Sequence, residues 1–190
     1  FNEKEKKFNN LPFNEFKFSD LENIYMATVI GLRDYVSKNN FPGVILGLSG
    51  GIDSAFCAAV AVDALGKDKV EAYMLPSNYT SENSTIDAED CANRLEISLE
   101  TIPISDTFLS LEESLKTSFK GLPNDITEEN LQSRIRGTIL MAISNKKGKM
   151  LITTGNKSEV SVGYSTLYGD MNGGFNPIKD IYKTELYALA

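Results

Sequence analysis

Apolar residues recur along this chain at two distinct spacings. Leu21, Ile24, Tyr25, Thr28, Val29, Leu32, Tyr35 and Val36 follow the helical period. Ser19 and Glu22 form a capping-box pattern ahead of them, and Asn39, Asn40 and Pro42 stop the run. Short continuous apolar runs lie at 44–48, 70–75, 99–104 and 149–154 and predict strands. Between them, helical patterns occupy 55–65, closed by Gly66, a segment opening near Ser84 with Asp87 completing its cap, and 106–119. A longer helix is expected from Thr127, with Leu131, Ile135, Thr138, Ile139 and Ala142 along one face. The order helix-β-α-β-α-β-α-α-β predicts an α/β fold built on a parallel sheet.

One domain with a real core suits a chain of 190 residues. Residues 1–18 lack clean periodicity and are expected to form a linker or N-terminal arm, with the domain over 19–190. The sequence stops in KTELYALA, a helical pattern without a stop signal, so the domain is expected to continue past Ala190. No apolar run approaches a membrane span, and no apolar h-region of a signal peptide is visible, so a cytoplasmic protein away from membranes is expected. The two cysteines, Cys57 and Cys91, sit on apolar helical faces and are expected to be buried and reduced.

Two compositional facts narrow the chemistry. There is no histidine, which removes Ser-His-Asp and Cys-His nucleophile systems and His-ligated zinc. A net charge of −7 argues against a general nucleic-acid surface.

The first apolar strand runs into Ser-Gly-Gly-Ile-Asp-Ser, residues 49–54, and a helix leaves it. Glycines there let backbone N–H groups approach an anion, the helix N-terminus adds partial positive charge, and Ser49 and Ser54 add hydroxyls. Such a turn suits phosphate or pyrophosphate. It is not a P-loop, which requires Gly-x-x-x-x-Gly-Lys-Ser/Thr, and its glycines, Gly47, Gly50 and Gly51, do not fit Gly-x-Gly-x-x-Gly. The carboxylate of Asp53 repels an anion unless a cation lies between them, which makes it a candidate Mg²⁺ ligand; the alternative is a plain helix N-cap.

A second loaded segment begins at the fourth strand: TTGNKSEVSVGYSTLYGDMNGGFNPIKDIYKTE. Thr153 and Thr154 meet Gly155 at a strand mouth, and Glu159, expected on the first turn of a short helix, is a second candidate carboxylate at the metal. Gly169, Gly173 and Gly174, with Lys179 and Lys183 beyond, suit a lid closing on phosphates, the alternative being a solvated loop. In a third segment, ENLQSRIRGTILMAISN, Asn130, Arg134 and Thr138 share a helix face while Arg136 is expected to point elsewhere. Arg134 suits a bidentate anion contact; equally, both arginines could pair with Glu128 and Glu129.

Taken together, SGGIDS, TTGNKSE and GYSTLYGDMNGGFNPIKDIYKTELY resemble the NAD synthetases, of the N-type ATP pyrophosphatase group, over about residues 19–190. SGGxDS alone marks the wider group; the other two segments carry the synthetase likeness, closest to the bacterial glutamine-dependent form. The resemblance implies a Rossmann-like open parallel sheet with helices on both faces, of the adenine nucleotide alpha hydrolase type. It implies Mg²⁺ and ATP, and amidation of deamido-NAD to NAD through an adenylate, with release of AMP and pyrophosphate. Ammonia would come from solvent or from a glutaminase domain in the full-length chain, and a homodimer is implied.

By the same resemblance, Gly47, Leu48, Ser49, Gly50, Gly51, Ile52, Asp53 and Ser54 hold ATP and the departing pyrophosphate, together with Thr154 and Lys183. Asp53 and Glu159 bind the metal, and with Lys183 they form the catalytic set. Asn130, Arg134, Glu159, Tyr164, Ser165, Thr166 and Leu167 face deamido-NAD, Leu167 standing where ammonia-dependent relatives often carry Lys. The rivals are other ATP pyrophosphatases and nucleotide-binding modules without turnover. The thiolating enzymes among the former typically need extra cysteines or basic RNA surfaces, which this chain lacks, and the binding modules lack the pairing of SGGIDS with Glu159.

Overall fold

Helix α1 (Asp20–Lys38) begins where the capping box places it: the Glu22 amide donates to Ser19 Oγ at 3.3 Å and the Ser19 amide to Glu22 Oε2 at 2.6 Å. In the computed structural model, residues 19–190 are described; the linker or arm expected over 1–18 lies outside the described residues. Four parallel strands follow, β1 (Val44–Gly47), β2 (Val70–Met74), β3 (Ser98–Thr101) and β4 (Met150–Leu151), side by side in the order β3-β2-β1-β4. Val44 stands opposite Val70 on one side and Met150 on the other.

Helices cover both faces, as expected. One face of the sheet, with Val44, Leu46, Ala72 and Met74, packs on α1, α2 (Ile52–Leu65), α3 (Glu82–Leu95) and the terminal α7 (Lys183–Leu189) through Leu32, Val60, Ala88 and Leu186. The other face, with Ile45, Tyr73 and Leu151, packs on α4 (Ser105–Leu115) and α5 (Ile126–Lys147) through Ile104, Ile135 and Leu140. Leu32, Ile45 and Leu46 are wholly buried; each such side chain contributes roughly 1.5–3 kcal/mol.

Boundaries depart from the sequence pattern where backbone partners change. The third strand ends at Thr101 rather than 104. Beyond it Ile102 and Ile104 donate to the carbonyls of Met74 and Pro76, while Pro103 between them has no N–H to give. The fourth strand is only two residues long; past it the Ile152 amide still donates to the Ile45 carbonyl of β1 at 3.0 Å, while on its other edge the Thr153 amide donates to the Phe175 carbonyl at 2.9 Å. Helix α3 starts a turn earlier than expected, capped by Ser81, whose Oγ accepts from the Ser84 amide at 3.1 Å. Helix α4 stops at Leu115, short of 119.

Strand order sets the place of the site. From β1 the chain builds β2 and β3 to one side, then returns to add β4 on the other. A crevice opens at such a reversal, beyond the carboxyl ends of β1 and β4.

Candidate functional site

The turn after β1 is shaped by its own hydrogen bonds. Ser54 Oγ donates to the Gly51 carbonyl at 2.9 Å and accepts from the Ser49 amide at 3.2 Å. Ser49 Oγ accepts from the Gly51 amide at 3.3 Å, and the two hydroxyls lie 3.1 Å apart. Ser54 is buried, and these two bonds tie its hydroxyl to the loop backbone. Gly50 has φ +82°, and a Cβ there would stand 2.2 Å from the Ser84 carbonyl oxygen. Only glycine lets the first turn of α3 press onto the loop this closely.

Asp53 is not the helix cap. Gly51 is the N-cap of α2, and Asp53 lies within its first turn. Its Oδ1 accepts from Asn156 Nδ2 at 2.9 Å, and its Oδ2 forms an ion pair with Lys183 Nζ. Lys183 opens α7, where its amide donates to Ser158 Oγ at 3.1 Å. Lys179, the other lysine of the segment, stands exposed.

Helix α6 (Lys157–Val162) carries Glu159 in its first turn, as expected. Its N-cap is Asn156, 1% exposed. Asn156 Oδ1 accepts from the Glu159 amide at 3.0 Å, and the Asn156 amide donates to Glu159 Oε2 at 3.0 Å. One asparagine therefore touches both predicted metal ligands, from segments far apart in sequence. Among the described residues no group of three or more His, Cys, Asp or Glu could hold a metal ion. An ion here would rest on two carboxylates, with phosphate and water completing its shell, which is how Mg²⁺ is usually held.

Beside this cluster lies a cavity of about 810 Å³. Gly47, Leu48, Ser49 and Thr154 line it from the strand mouths, Asn130, Ser133 and Arg136 from α5, and Tyr164, Ser165, Thr166 and Asp170 from the segment after α6. That segment is tied down onto α5. Thr166 Oγ1 donates to Asn130 Oδ1 at 3.0 Å, the Asp170 amide to Ser133 Oγ at 3.1 Å, and Arg134 Nε to the Leu167 carbonyl at 3.1 Å.

The phase of α5 divides its polar residues between two surroundings. The cavity receives Asn130, Ser133, Arg136 and Gly137, whereas Arg134 and Thr138 are exposed and outside its lining. Burial of Ile135 and Leu140 against β1 and β4 fixes that rotation. Arg136 is half-buried, and burial pushes its guanidinium below the ordinary arginine pKa; its Nε donates to the Leu75 carbonyl at 2.9 Å. Neither arginine is seen to pair with Glu128 or Glu129; both donate to carbonyls. Leu167 is exposed, and its carbonyl accepts from Arg134 Nε at 3.1 Å outside the cavity lining.

Sequence reasoning passed over Asn156, although Asn-x-x-Glu ahead of a helix is a capping-box signature. Arg136, which spacing sets apart from the Asn130, Arg134 and Thr138 face, lines the cavity because packing decides the phase of the helix. Both cysteines are free thiols, Cys57 buried and Cys91 half-buried rather than buried. Burial raises both thiol pKa values, with Asp53 adding to the effect at Cys57 and Asp90 at Cys91.

A family model described as NAD synthase matches residues 24–190. The chain belongs to the NAD synthase family. Within that family it is 56% identical, over 168 residues, to the glutamine-dependent NAD(+) synthetase of Rhodobacter capsulatus, covering 88% of this chain and 30% of that protein. It superposes with TM-score 0.90 and 49% identity on a glutamine-dependent NAD+ synthetase from Acinetobacter baumannii solved with ADP, covering 96% of this chain and 34% of that one. It also matches the NH3-dependent NAD synthetase of Campylobacter jejuni, with TM-score 0.83 and 32% identity over 91% of this chain and 73% of that one. The chain spans about 30% of the length of the curated glutamine-dependent NAD synthases it matches. These matches support the α/β fold of the adenine nucleotide alpha hydrolase type.

Proposed function

We propose that this chain is the synthetase portion of an enzyme that amidates deamido-NAD to NAD with ATP. The observation that carries the reading is the junction of Asp53, Asn156, Glu159 and Lys183 beside the Ser49–Ser54 turn, at the open end of β1. In the first step a nicotinate carboxylate oxygen attacks the α-phosphorus of ATP, the bond to pyrophosphate breaks, and an adenylate forms. Ammonia then adds to the acyl carbon, AMP leaves with the electrons of the broken C–O bond, and the added nitrogen gives up one proton to solvent to leave the amide. The substrate supplies the nucleophile, so a chain without histidine is suited to the task.

Within this reading, Gly47, Leu48, Ser49, Gly50, Gly51, Ile52 and Ser54 form the wall against which pyrophosphate departs, with amide N–H groups of the α2 N-terminus directed at it. Lys183 neutralises phosphate charge, and Thr154 meets ATP at the cavity floor. Asn130, Tyr164, Ser165 and Thr166 orient deamido-NAD in the cavity, with Arg134 and Leu167 supporting its edge. Asp53 and Glu159 would hold Mg²⁺, which supplies charge neutralisation at the phosphates when bound. The full-length protein delivers ammonia from a glutaminase domain, works as a homodimer and resides in the cytoplasm; ammonia from solvent serves this portion alone. No described helix is long and apolar enough to cross a membrane.

The test is pyrophosphate release. The chain is mixed with ATP, Mg²⁺ and one of deamido-NAD, nicotinic acid mononucleotide, xanthosine monophosphate or citrulline. Release with deamido-NAD alone is expected; release with another partner, or with none of them, overturns the assignment.

A further inference from the structure

Asn156 is more deeply buried than either carboxylate it touches, and its polar groups are engaged on both sides. A helix N-cap needs only a side-chain acceptor, and Ser, Thr or Asp supplies one as well as Asn. The cap accounts for Oδ1, which takes the Glu159 amide at 3.0 Å. It does not account for Nδ2, which crosses to Asp53 Oδ1 at 2.9 Å. Among the residues that cap helices well, asparagine alone carries a donor on the same planar group as its acceptor.

The backbone at this point is fixed as well. The Gly155 carbonyl accepts from Asn176 Nδ2 at 2.8 Å, and the Asn156 amide is held by Glu159 Oε2 at 3.0 Å. The carboxamide plane is thus set before any ligand arrives. It holds Asp53 Oδ1 on one side and, through the cap, Glu159 on the other. Both oxygens of Asp53 are engaged, Oδ1 by Asn156 and Oδ2 by Lys183, so the direction in which this carboxylate faces is set by two partners.

We propose that Asn156 is a positioning residue that sets Asp53 and Glu159 at the separation and orientation a nucleotide-bound divalent cation requires. The assignment rests on the proposed role of those two carboxylates as metal ligands. Asn156 itself touches neither cation nor substrate; it acts through Asp53. Its chemical signature is a dependence confined to the metal: loss of Nδ2 weakens the contribution of Mg²⁺ to ATP binding and leaves metal-free ATP binding nearly alone.

The experiment is calorimetric titration of the 190-residue chain with ATP, in Mg²⁺ and in EDTA, for wild type, Asn156→Ser, Asp53→Asn and the double variant. Asn156→Ser keeps a cap acceptor and removes the Nδ2 amide that reaches Asp53, which the shorter hydroxyl, engaged at the cap, does not replace. Its Mg²⁺ enhancement of ATP affinity is expected to fall about tenfold, the effect of one lost hydrogen bond to a charged group. Affinity in EDTA should change less than about twofold. The double variant should lose no more enhancement than Asp53→Asn alone, since residues acting as one unit are not additive.

Equal losses in Mg²⁺ and EDTA, or additive losses in the double variant, overturn the assignment and leave Asn156 as a helix cap. A wild-type chain whose ATP affinity ignores Mg²⁺ overturns the metal reading itself, and the role of Asn156 with it. If thermal melts show Asn156→Ser unfolded, Asn156→Thr, which also retains a cap hydroxyl, replaces it with the same expectations.

Discussion

Gly137 sits mid-helix in α5, where alanine ordinarily gains about 0.5–1 kcal/mol over glycine. Here the sign should reverse. A Cβ at this position would lie 2.6 Å from Asn172 Nδ2 and 2.7 Å from the Gly169 carbonyl oxygen. The first neighbour is the end of a side chain, but it is held by its bond to the Tyr168 carbonyl at 3.0 Å. The second is backbone and must retreat from 2.7 Å to at least 3.4 Å for an ordinary contact. Overpacking of this kind costs about 1–3 kcal/mol, enough to cancel the helix gain and leave a net loss of about 1 kcal/mol. The displaced segment is the one whose Thr166 and Asp170 amides are bonded to Asp170 Oδ1 and Ser133 Oγ. Those amides should exchange with solvent about tenfold faster in Gly137→Ala, the effect of a local opening made roughly 1.4 kcal/mol easier. Urea denaturation followed by circular dichroism reads the stability change, and hydrogen exchange by mass spectrometry reads the segment. A stability gain of about 0.5–1 kcal/mol with unchanged exchange over 164–172 would refute the close approach of α5 and this segment.

Other outcomes follow from single contacts. Burial pushes Glu71 up, but hydrogen bonds from Lys147, Lys149 and Tyr73 prevail and hold its carboxyl at about 2, below the ordinary 4.5. Because the folded pKa is the lower one, this stabilisation is present above pH 4.5 and is lost as pH falls toward 2, so Glu71→Gln should flatten that part of a urea-stability profile. Arg136→Lys removes the Nε bond to the Leu75 carbonyl inside the cavity and should weaken ATP or deamido-NAD binding about tenfold, whereas Arg134→Lys at the exposed edge should cost less than half that factor; calorimetry with each ligand decides. Turnover by this chain should use ammonium chloride and ignore glutamine, because glutamine hydrolysis needs an activated nucleophile while both thiols here have raised pKa values and no histidine is present. NAD formation from glutamine in ammonia-free buffer would contradict this.

The order of elements and the parallel sheet were legible in the sequence, because buried strands and amphipathic helices impose different hydrophobic periods. The Ser49–Ser54 turn was legible too, since glycine, serine and carboxylate at a strand mouth restrict the possible chemistry. So was the position of Glu159 in a first helical turn. Those are local properties, written within a few residues.

What needed the tertiary structure depends on contacts between distant segments. The alternative that Asp53 is a plain cap fell only when Gly51 was found at the N-cap of α2, and the reach of Asp53 to Asn156 and Lys183 was invisible in the sequence. Arg134 and Arg136 are two residues apart on one helix, and sequence spacing separates their faces without saying which of them lines the cavity. The rotation of α5 is set by how Ile135 and Leu140 pack against Ile45 and Leu151, which no periodicity along α5 contains. Helical spacing says which residues share a face; only packing against the sheet decides which face meets the cavity.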